Sequence, residues 1–388
     1  MFRSHPIIDR TLYFFSLPAC YRRLRQWPEC KRSPRRLAFD LLELFFRYKT
    51  FPDHYGPCRL WEVDKAFWRY YYGSNYQSYQ RVALRKAVQP VKYRLLFDDK
   101  AVCEGLCRAV GVKTPHTYGT ITPERNYRET ITAWLQGPAV NKLFAKPLVG
   151  GGGRDIVLVQ RVDDNITVRF RQGVVPLRDF SLKETLIVQE VVRQDSRLAA
   201  FSSTSVNTIR VVTMYTRNES VILLGATMRC GVGDNYVDNW SAGGVAIGVN
   251  AEDGRLSKFG YDKQGNRYTR HPTSKVVFDG TTVPEWPAIV ETAVTLQTAF
   301  AHYRKLLGFD IALHESGVPI VIEVNDSPDL VFQEQTTGPL LRNEETLRAF
   351  GQYALLINRH QKIMYARLLS RDLQCDGLGR VPLDLRLK

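Results

Sequence analysis

The sequence predicts an α+β protein that begins with a mainly helical region. Two observations carry this. Residues 1–95 of the 388 are rich in arginine and aromatic side chains and show no alternation of strand and helix. From residue 96 onward, short β-like apolar runs mix with amphipathic stretches, without the strict alternation of a doubly wound parallel sheet. The length allows two or three domains. Boundaries are expected at 1–95, 96–200 and 201–388, with no internal repeat or low-complexity segment.

The elements follow in order. Asp99 starts a helix with apolar residues at Val102, Leu106 and Val110, ending near Gly111. "VKTPHTYG" reads as extended around its proline. Strands are expected at Leu143–Lys146, Ile156–Gln160, Leu186–Glu190, Ile209–Tyr215, Val221–Thr227 and Val245–Val249. A long amphipathic helix fits Pro287–Leu307, stopped by Gly308. Phe309–His314 and Ile320–Asn325 read as two further strands before a helical C-terminal region.

Composition bounds the function. An apolar share of 44% and a charged share of 24% are those of a soluble globular chain. The net charge of +15 implies affinity for polyanions. Residues 1–37 hold Arg3, Arg10, Arg22, Arg23, Arg25, Lys31, Arg32, Arg35 and Arg36 against Asp9 and Glu29. That leader is either a solvated basic helical face or a contact with an anionic membrane surface. Nucleic acid is the disfavoured partner, because the aromatics fit a helical core better than a stacking platform. No secretory signal and no membrane-spanning run are expected, which places the protein in the cytoplasm, at most peripheral to the inner face of the membrane. The seven scattered cysteines fit reduced thiols, and Cys103 and Cys107 lack partners for a zinc site.

Several constellations bear chemistry. In "FAKPLVGGGGRDIVLV", Lys146 precedes Gly150, Gly151, Gly152 and Gly153 between two strands. Successive glycines let backbone N–H groups face an anion, so this is a phosphate cradle or a plain hairpin turn. It is neither a Walker loop nor a dinucleotide fingerprint, since a strand and not a helix follows. In "GFDIALHESGVPIVIEVNDSPDL", a Ser316–Gly317 turn sets Asp310 opposite Glu323, with Asn325 on the same face. Two carboxylates and an amide oxygen suit a hard divalent cation completed by phosphate; the plain alternative is a solvent-facing acid pair. "LIVQEVV" offers Gln189, Glu190 and Val192 at a strand end, where a base edge can dock. "SVNTIRVV" sets Asn207 and Arg210 near an apolar strand, and the arginine requires an anion or a salt bridge. "ATMRCGVGDNYVDNWSAGG" adds Arg229, Asn239, Ser241, Gly243 and Gly244.

In this order the motifs resemble those of ATP-grasp enzymes, and are most similar to the sugar-transfer-associated branch, over roughly Asp99–Leu330. The resemblance implies two α+β subdomains gripping ATP, the first within 96–200 and the second within 201–388. It assigns Lys100 and Lys146 to the nucleotide phosphates, Gly150–Gly153 to a mobile lid, Gln189, Glu190 and Val192 to the adenine hinge, and Asp195 to the ribose. Asp310, Glu323 and Asn325 match magnesium ligands. Arg210 and Arg229, with Lys146, take catalytic roles at the transferred phosphate and acyl group, and Asn207 and the 239–244 segment lie near the acceptor substrate. The implied reaction is ATP-dependent ligation of a carboxylate to an amine through an acyl phosphate, in surface-polysaccharide or related biosynthesis, on free or glycan-linked substrates. A sugar or polyol phosphotransferase and a nucleotide-binding scaffold at an anionic surface are the rival readings. Two departures stand out: Gly308 occupies the place of an arginine some relatives carry, and the usual N-terminal α/β domain is not evident.

Overall fold

The structure, a computed structural model, describes residues 6–74, 78–137, 140–150, 155–170, 173–238, 240 and 243–375. The chain opens with helices α1 (Pro6–Arg25), α2 (Pro34–Phe46) and α3 (Ser78–Ala87). A short α4 (Leu95–Asp98) leads to α5 (Lys100–Ala109), β1 (Thr117–Ile121) and α6 (Tyr127–Leu135). Then come β2 (Lys142–Pro147), β3 (Val157–Val162), β4 (Asn165–Phe170), β5 (Gly173–Pro176) and β6 (Leu186–Glu190). After α7 (Ser196–Ala199) follow β7 (Thr208–Tyr215), β8 (Val221–Cys230), β9 (Val245–Val249), β10 (Leu256–Tyr261) and β11 (Arg267–Tyr268). The order closes with α8 (Trp286–Phe300), β12 (Leu306–Leu313), β13 (Pro319–Asn325), α9 (Leu330–Thr337), α10 (Glu344–Gln352) and α11 (Arg359–Cys375).

Two compact units result. One takes the described parts of Met1–Val88, Thr216–Ile222 and Asp329–Lys388. It is mainly helical, as predicted for the N-terminal region. Ser33 caps α2 by accepting from the Arg36 N–H, and Pro34 stands at the first helical position. Leu24, Leu37, Leu44, Tyr55, Leu60 and Trp68 fill its core.

The other unit, Gln89–Tyr215 and Leu223–Pro328, carries both sheets. The first runs β1-β6-β2-β3-β4-β5, the second β11-β10-β9-β8-β7-β12-β13. The pairings are antiparallel, as in β2 with β6 and β7 with β12, so the α+β class is the one predicted. On the first sheet α6 buries Tyr127, Ile131 and Leu135. On the second, α8 buries Ile289, Ala293, Leu296 and Phe300, spaced four, three and four apart on one helical face. Each large apolar side chain so buried contributes about 1.5–3 kcal/mol before chain entropy is counted.

Three expectations change. The helix of Pro287–Leu307 stops at Phe300, because the Gln297 side chain donates to the Arg304 carbonyl and the chain turns there. Leu306 and Leu307 then pair with Met214 and Thr213 as the start of β12. The β12–β13 turn spans three residues, 315–317, since the His314 N–H donates to the Val318 carbonyl and Leu313, not His314, faces Pro319. A bulge at Ile322 then restores the step, so Asp310 does face Glu323. Finally, α6, β4, β5 and β10 were not anticipated.

Candidate functional site

Two lysines reach one place from different elements. Asp99 caps α5 by accepting from the Ala101 and Val102 N–H groups at 3.0 and 3.1 Å, which fixes Lys100 in the first turn. The Lys100 ammonium donates to the Gly150 carbonyl at 2.6 Å, and Gly150 adopts a φ of +112° suited to glycine. Lys146, on β2, donates to the Ile322 carbonyl at 3.1 Å. That carbonyl belongs to the bulge residue of β13. Both lysines are buried. Burial lowers the Lys100 ammonium below its usual pKa, with Glu323 opposing and Lys146 adding to the fall. Gly151, Gly152 and Gly153 lie outside the described residues.

Glu104 follows Lys100 by one helical turn and was not anticipated. It is buried, 3.6 Å from the Lys146 ammonium, and accepts from the Gln189 amide at 2.6 Å and the Thr117 hydroxyl at 2.9 Å. Its i, i+4 spacing from Lys100 was the available signal. Gln189 is thus spent on positioning, while Glu190 accepts from the His116 N–H and Val192 lines the same cavity.

On the second sheet, Arg210 grips Asp310 with two hydrogen bonds of 2.6 and 2.7 Å, and Arg229 adds a third at 3.0 Å. Burial alone would raise the Asp310 carboxyl, but the two guanidiniums hold it down to about 2. Burial likewise works against the Arg210 cation, yet Asp310 raises its pKa further above normal. Arg229 also donates to the Thr208 hydroxyl at 2.7 Å, and Thr208 in turn donates to Asp238. Asp238 lies 3.5 Å from Arg229, and burial raises its carboxyl above the ordinary value. Thr208 and Asp238 were missed, although Thr208 shares a strand face with Arg210 at i, i+2.

Other sequence candidates have different duties. The Asn207 amide donates to the Leu198 and Ser202 carbonyls, so it braces the loop before β7. Asp195 does not line the cavity; its carboxylate caps α7 and accepts from Arg197 at 2.8 and 2.9 Å. Gly244 is required by close approach: a Cβ there would stand 2.5 Å from the Asp238 carbonyl and 2.8 Å from that of Cys230. Gly243, at φ +102°, precedes it, and together they fold the segment that carries Asp238 against the end of β8. Asn239 and Ser241 lie outside the described residues. At Gly308 a Cβ would stand 3.0 Å from the Pro328 side chain, so a larger residue there would press on that proline.

Lys100, Lys146, Gly150, Glu190, Val192, Thr208, Arg229, Asp238, Asp310 and Glu323 all line one cavity of about 480 Å³, within the range of small-molecule sites. Phe144, Leu158 and Ile322 give it apolar walls. Among the described residues no cluster of three or more His, Cys, Asp or Glu is arranged to hold a metal. A Mg²⁺ completed by substrate phosphates needs only one or two carboxylates. Glu323 makes no side-chain hydrogen bond to a described residue and is the acid open to such an ion. Asp310 is engaged by Arg210 and Arg229 and accepts from the Asn325 amide nitrogen at 3.4 Å. That amide turned over would add its oxygen to the set.

No curated relative matches the chain. Among solved structures, a D-Ala:D-Ser ligase from Enterococcus faecalis aligns at 15% identity and TM-score 0.41, covering 67% of this chain and 63% of its own. An N5-carboxyaminoimidazole ribonucleotide synthetase from Thermotoga maritima aligns at 12% and 0.39, covering 68% and 51%. A D-alanine-D-alanine ligase from Coxiella burnetii aligns at 10% and 0.36, covering 74% and 64%. The chain therefore spans about half to two thirds of the length of these proteins. The sequence model described as sugar-transfer associated ATP-grasp matches residues 79–351, well over half of the chain. On that match, the chain belongs to the sugar-transfer associated ATP-grasp family.

Proposed function

We propose that the protein joins a carboxylate to an amine at the expense of ATP, through an acyl phosphate. One observation carries the reading: a single cavity gathers two buried lysines, the opening of the glycine run, the strand end at Glu190, Arg229 and the opposed acids Asp310 and Glu323. In the first step a carboxylate oxygen of the substrate bonds to the γ-phosphorus of ATP, the bond to the β,γ-bridging oxygen breaks, and ADP leaves. In the second, an amine nitrogen attacks the acyl carbon, phosphate departs with the bonding pair, and the amine gives up a proton to solvent.

No protein nucleophile is needed. Both lysines hold their ammonium groups on backbone carbonyls, so those are the hydrogen bonds exchanged for phosphate oxygens, while Lys146 also has the Glu104 carboxylate at 3.6 Å. Arg229, tied to Thr208 and Asp310, points a fixed guanidinium into the cavity, where it would stabilise the oxyanion of the second step. Arg210 does not line the cavity; gripping Asp310 from behind, it orients that carboxylate. Glu323, Asp310 and Asn325 would hold magnesium, which when bound spreads the charge of the transferring phosphoryl group.

The family's description as sugar-transfer associated directs the choice of substrates to uronic-acid carboxylates and amino-sugar or amino-acid amines. We place the reaction in the cytoplasm, where ATP is supplied and where the free thiols Cys20, Cys58, Cys103, Cys107 and Cys230 remain reduced. The test offers hydroxylamine as acceptor together with candidate carboxylates. Hydroxamate should accumulate in step with ADP. ADP with a phosphorylated alcohol and no hydroxamate would replace the ligase with a phosphotransferase.

A further inference from the structure

The N-terminal helices present a surface that the cavity chemistry does not use. Both α1 and α2 are apolar on two faces. Their inner faces bury Leu17, Cys20 and Leu24, and Leu37, Leu41 and Leu44. Their outer faces expose a second stripe: Ile8, Leu12 and Phe15 at i, i+4, i+7 on α1, and Phe39, Leu42 and Phe46 at i, i+3, i+7 on α2. These six side chains are 39 to 74% exposed.

The helices run antiparallel, for Arg10 donates to the Phe45 carbonyl at one end and Tyr21 to the Pro34 carbonyl at the other. The stripes therefore lie side by side. Phe14 joins them, with its ring centroid 5.9 Å from those of both Phe15 and Phe46. Each stripe then continues into a cation at the same edge: Arg22 follows Phe15 by seven residues, and Arg35 precedes Phe39 by four. Arg36 is exposed beside it, and none of the three makes an ion pair with a described residue.

We propose that this α1–α2 face docks on an anionic lipid bilayer, with the phenylalanines among the acyl chains and the arginines at the headgroups. A contiguous exposed apolar patch of this kind marks an interaction surface. The belt of free guanidiniums along one edge selects a negatively charged, half-apolar partner, which an anionic membrane surface is. No described helix is long and apolar enough to cross a membrane, so the contact is in-plane. The inference is independent of the ligase reading. It also moves the contact beyond the basic leader, because half of the apolar stripe lies on α2 past residue 37.

The test sediments the full chain with phosphatidylcholine vesicles, with or without phosphatidylglycerol. Binding should require phosphatidylglycerol and weaken in high salt. Phe15→Ser/Phe39→Ser/Phe46→Ser should weaken it at least tenfold, and Arg22→Gln/Arg35→Gln about 30-fold, at about 1 kcal/mol for each cation near the surface. Unchanged thermal midpoints would show that both variants are folded. Failure to sediment with the anionic vesicles overturns the proposal, as does equal binding to neutral ones or full binding by the triple serine variant. A concentration-dependent dimer that the serines dissociate, with no lipid binding, would assign the face to a second copy instead.

Discussion

Asp310 in β12 and Glu334 in α9 are equally buried carboxylates, each about 1% exposed, yet they titrate at opposite ends of the acid range. Burial dominates at Glu334 and pushes its carboxyl up to about 7. Against it stand the backbone N–H groups of Tyr72, Gly73 and Leu340 and the influence of His54. At Asp310 the same burial is outweighed, because two guanidiniums hold that carboxyl at about 2. Desolvation works the same way in both places, and the counter-charge decides the outcome. The unit with both sheets has a charged, matched cluster at its cavity. The helical unit has an acid that is better off neutral.

The largest expected effect comes from breaking the matched cluster. Asp310→Asn leaves Arg210 and Arg229 buried without their carboxylate and should cost about 3–5 kcal/mol in urea unfolding. A loss below about 1 kcal/mol would show that the guanidiniums do not depend on it. Next is the pH dependence, where the two acids must have opposite signs. Glu334 rises from an ordinary 4.5 to about 7, so between those values the native state binds more protons than the unfolded state. Its contribution is full below 4.5 and is lost by about pH 7, a fall of ~3 kcal/mol. Asp310 drops from 3.8 to about 2, so its contribution is present above 3.8 and is lost as pH falls through 2. Urea midpoints measured in pH steps should show both limbs. Glu334→Gln should flatten the upper limb and leave the acid limb in place.

Part of the cavity lining was legible in the sequence, for a physical reason. Lys146, Gly150, Asp310 and Glu323 are polar or conformationally special residues inside apolar runs, and such interruptions show in any single sequence. The Asp310–Glu323 pairing was nevertheless reached through the wrong turn. One extra residue in the loop and one bulge at Ile322 offset each other, and no local pattern announces a bulge. The end of α8 was hidden because the link Ala301–Lys305 into β12 contains no glycine or proline to stop a helix. The β3–β4 hairpin did leave a trace: Asp163, at φ +52°, lies in the Asp-Asp turn between two alternating runs. Asn207 looked like a site residue because it neighbours Arg210, but an odd spacing sends the two side chains opposite ways.

The lysines sharpen the comparison from the other side. Lys146 faces a carbonyl at 3.1 Å and Glu104 at 3.6 Å, and Glu104 keeps two neutral donors without it. Lys146→Met should therefore cost no more than about 1 kcal/mol of stability, in contrast to Asp310→Asn. On the proposed ATP reading it removes a charge-assisted hydrogen bond of about 1.5–3 kcal/mol, so calorimetry should find ATP affinity about 10- to 150-fold weaker. Equal affinity in the variant would move the phosphates away from Lys146.

A last effect is expected where the two extremes meet. Asp238 is buried like the other two carboxylates but has one guanidinium at 3.5 Å and the Thr208 hydroxyl, and burial still raises its carboxyl. Thr208→Val keeps the shape, removes that hydroxyl, and leaves Arg229 held by the acids alone. The cost should be about 1.5–3 kcal/mol, because the hydroxyl donates to a carboxylate and accepts from a guanidinium. The more telling change is in titration: without the hydroxyl donor, Asp238 should move further up, toward the behaviour of Glu334. Infrared difference spectra across a pH series, with Asp238→Asn to identify the band, would follow its protonation. A downward shift would mean that Arg229, freed from Thr208, swings fully onto Asp238, and that the hydroxyl had been keeping the arginine for Asp310.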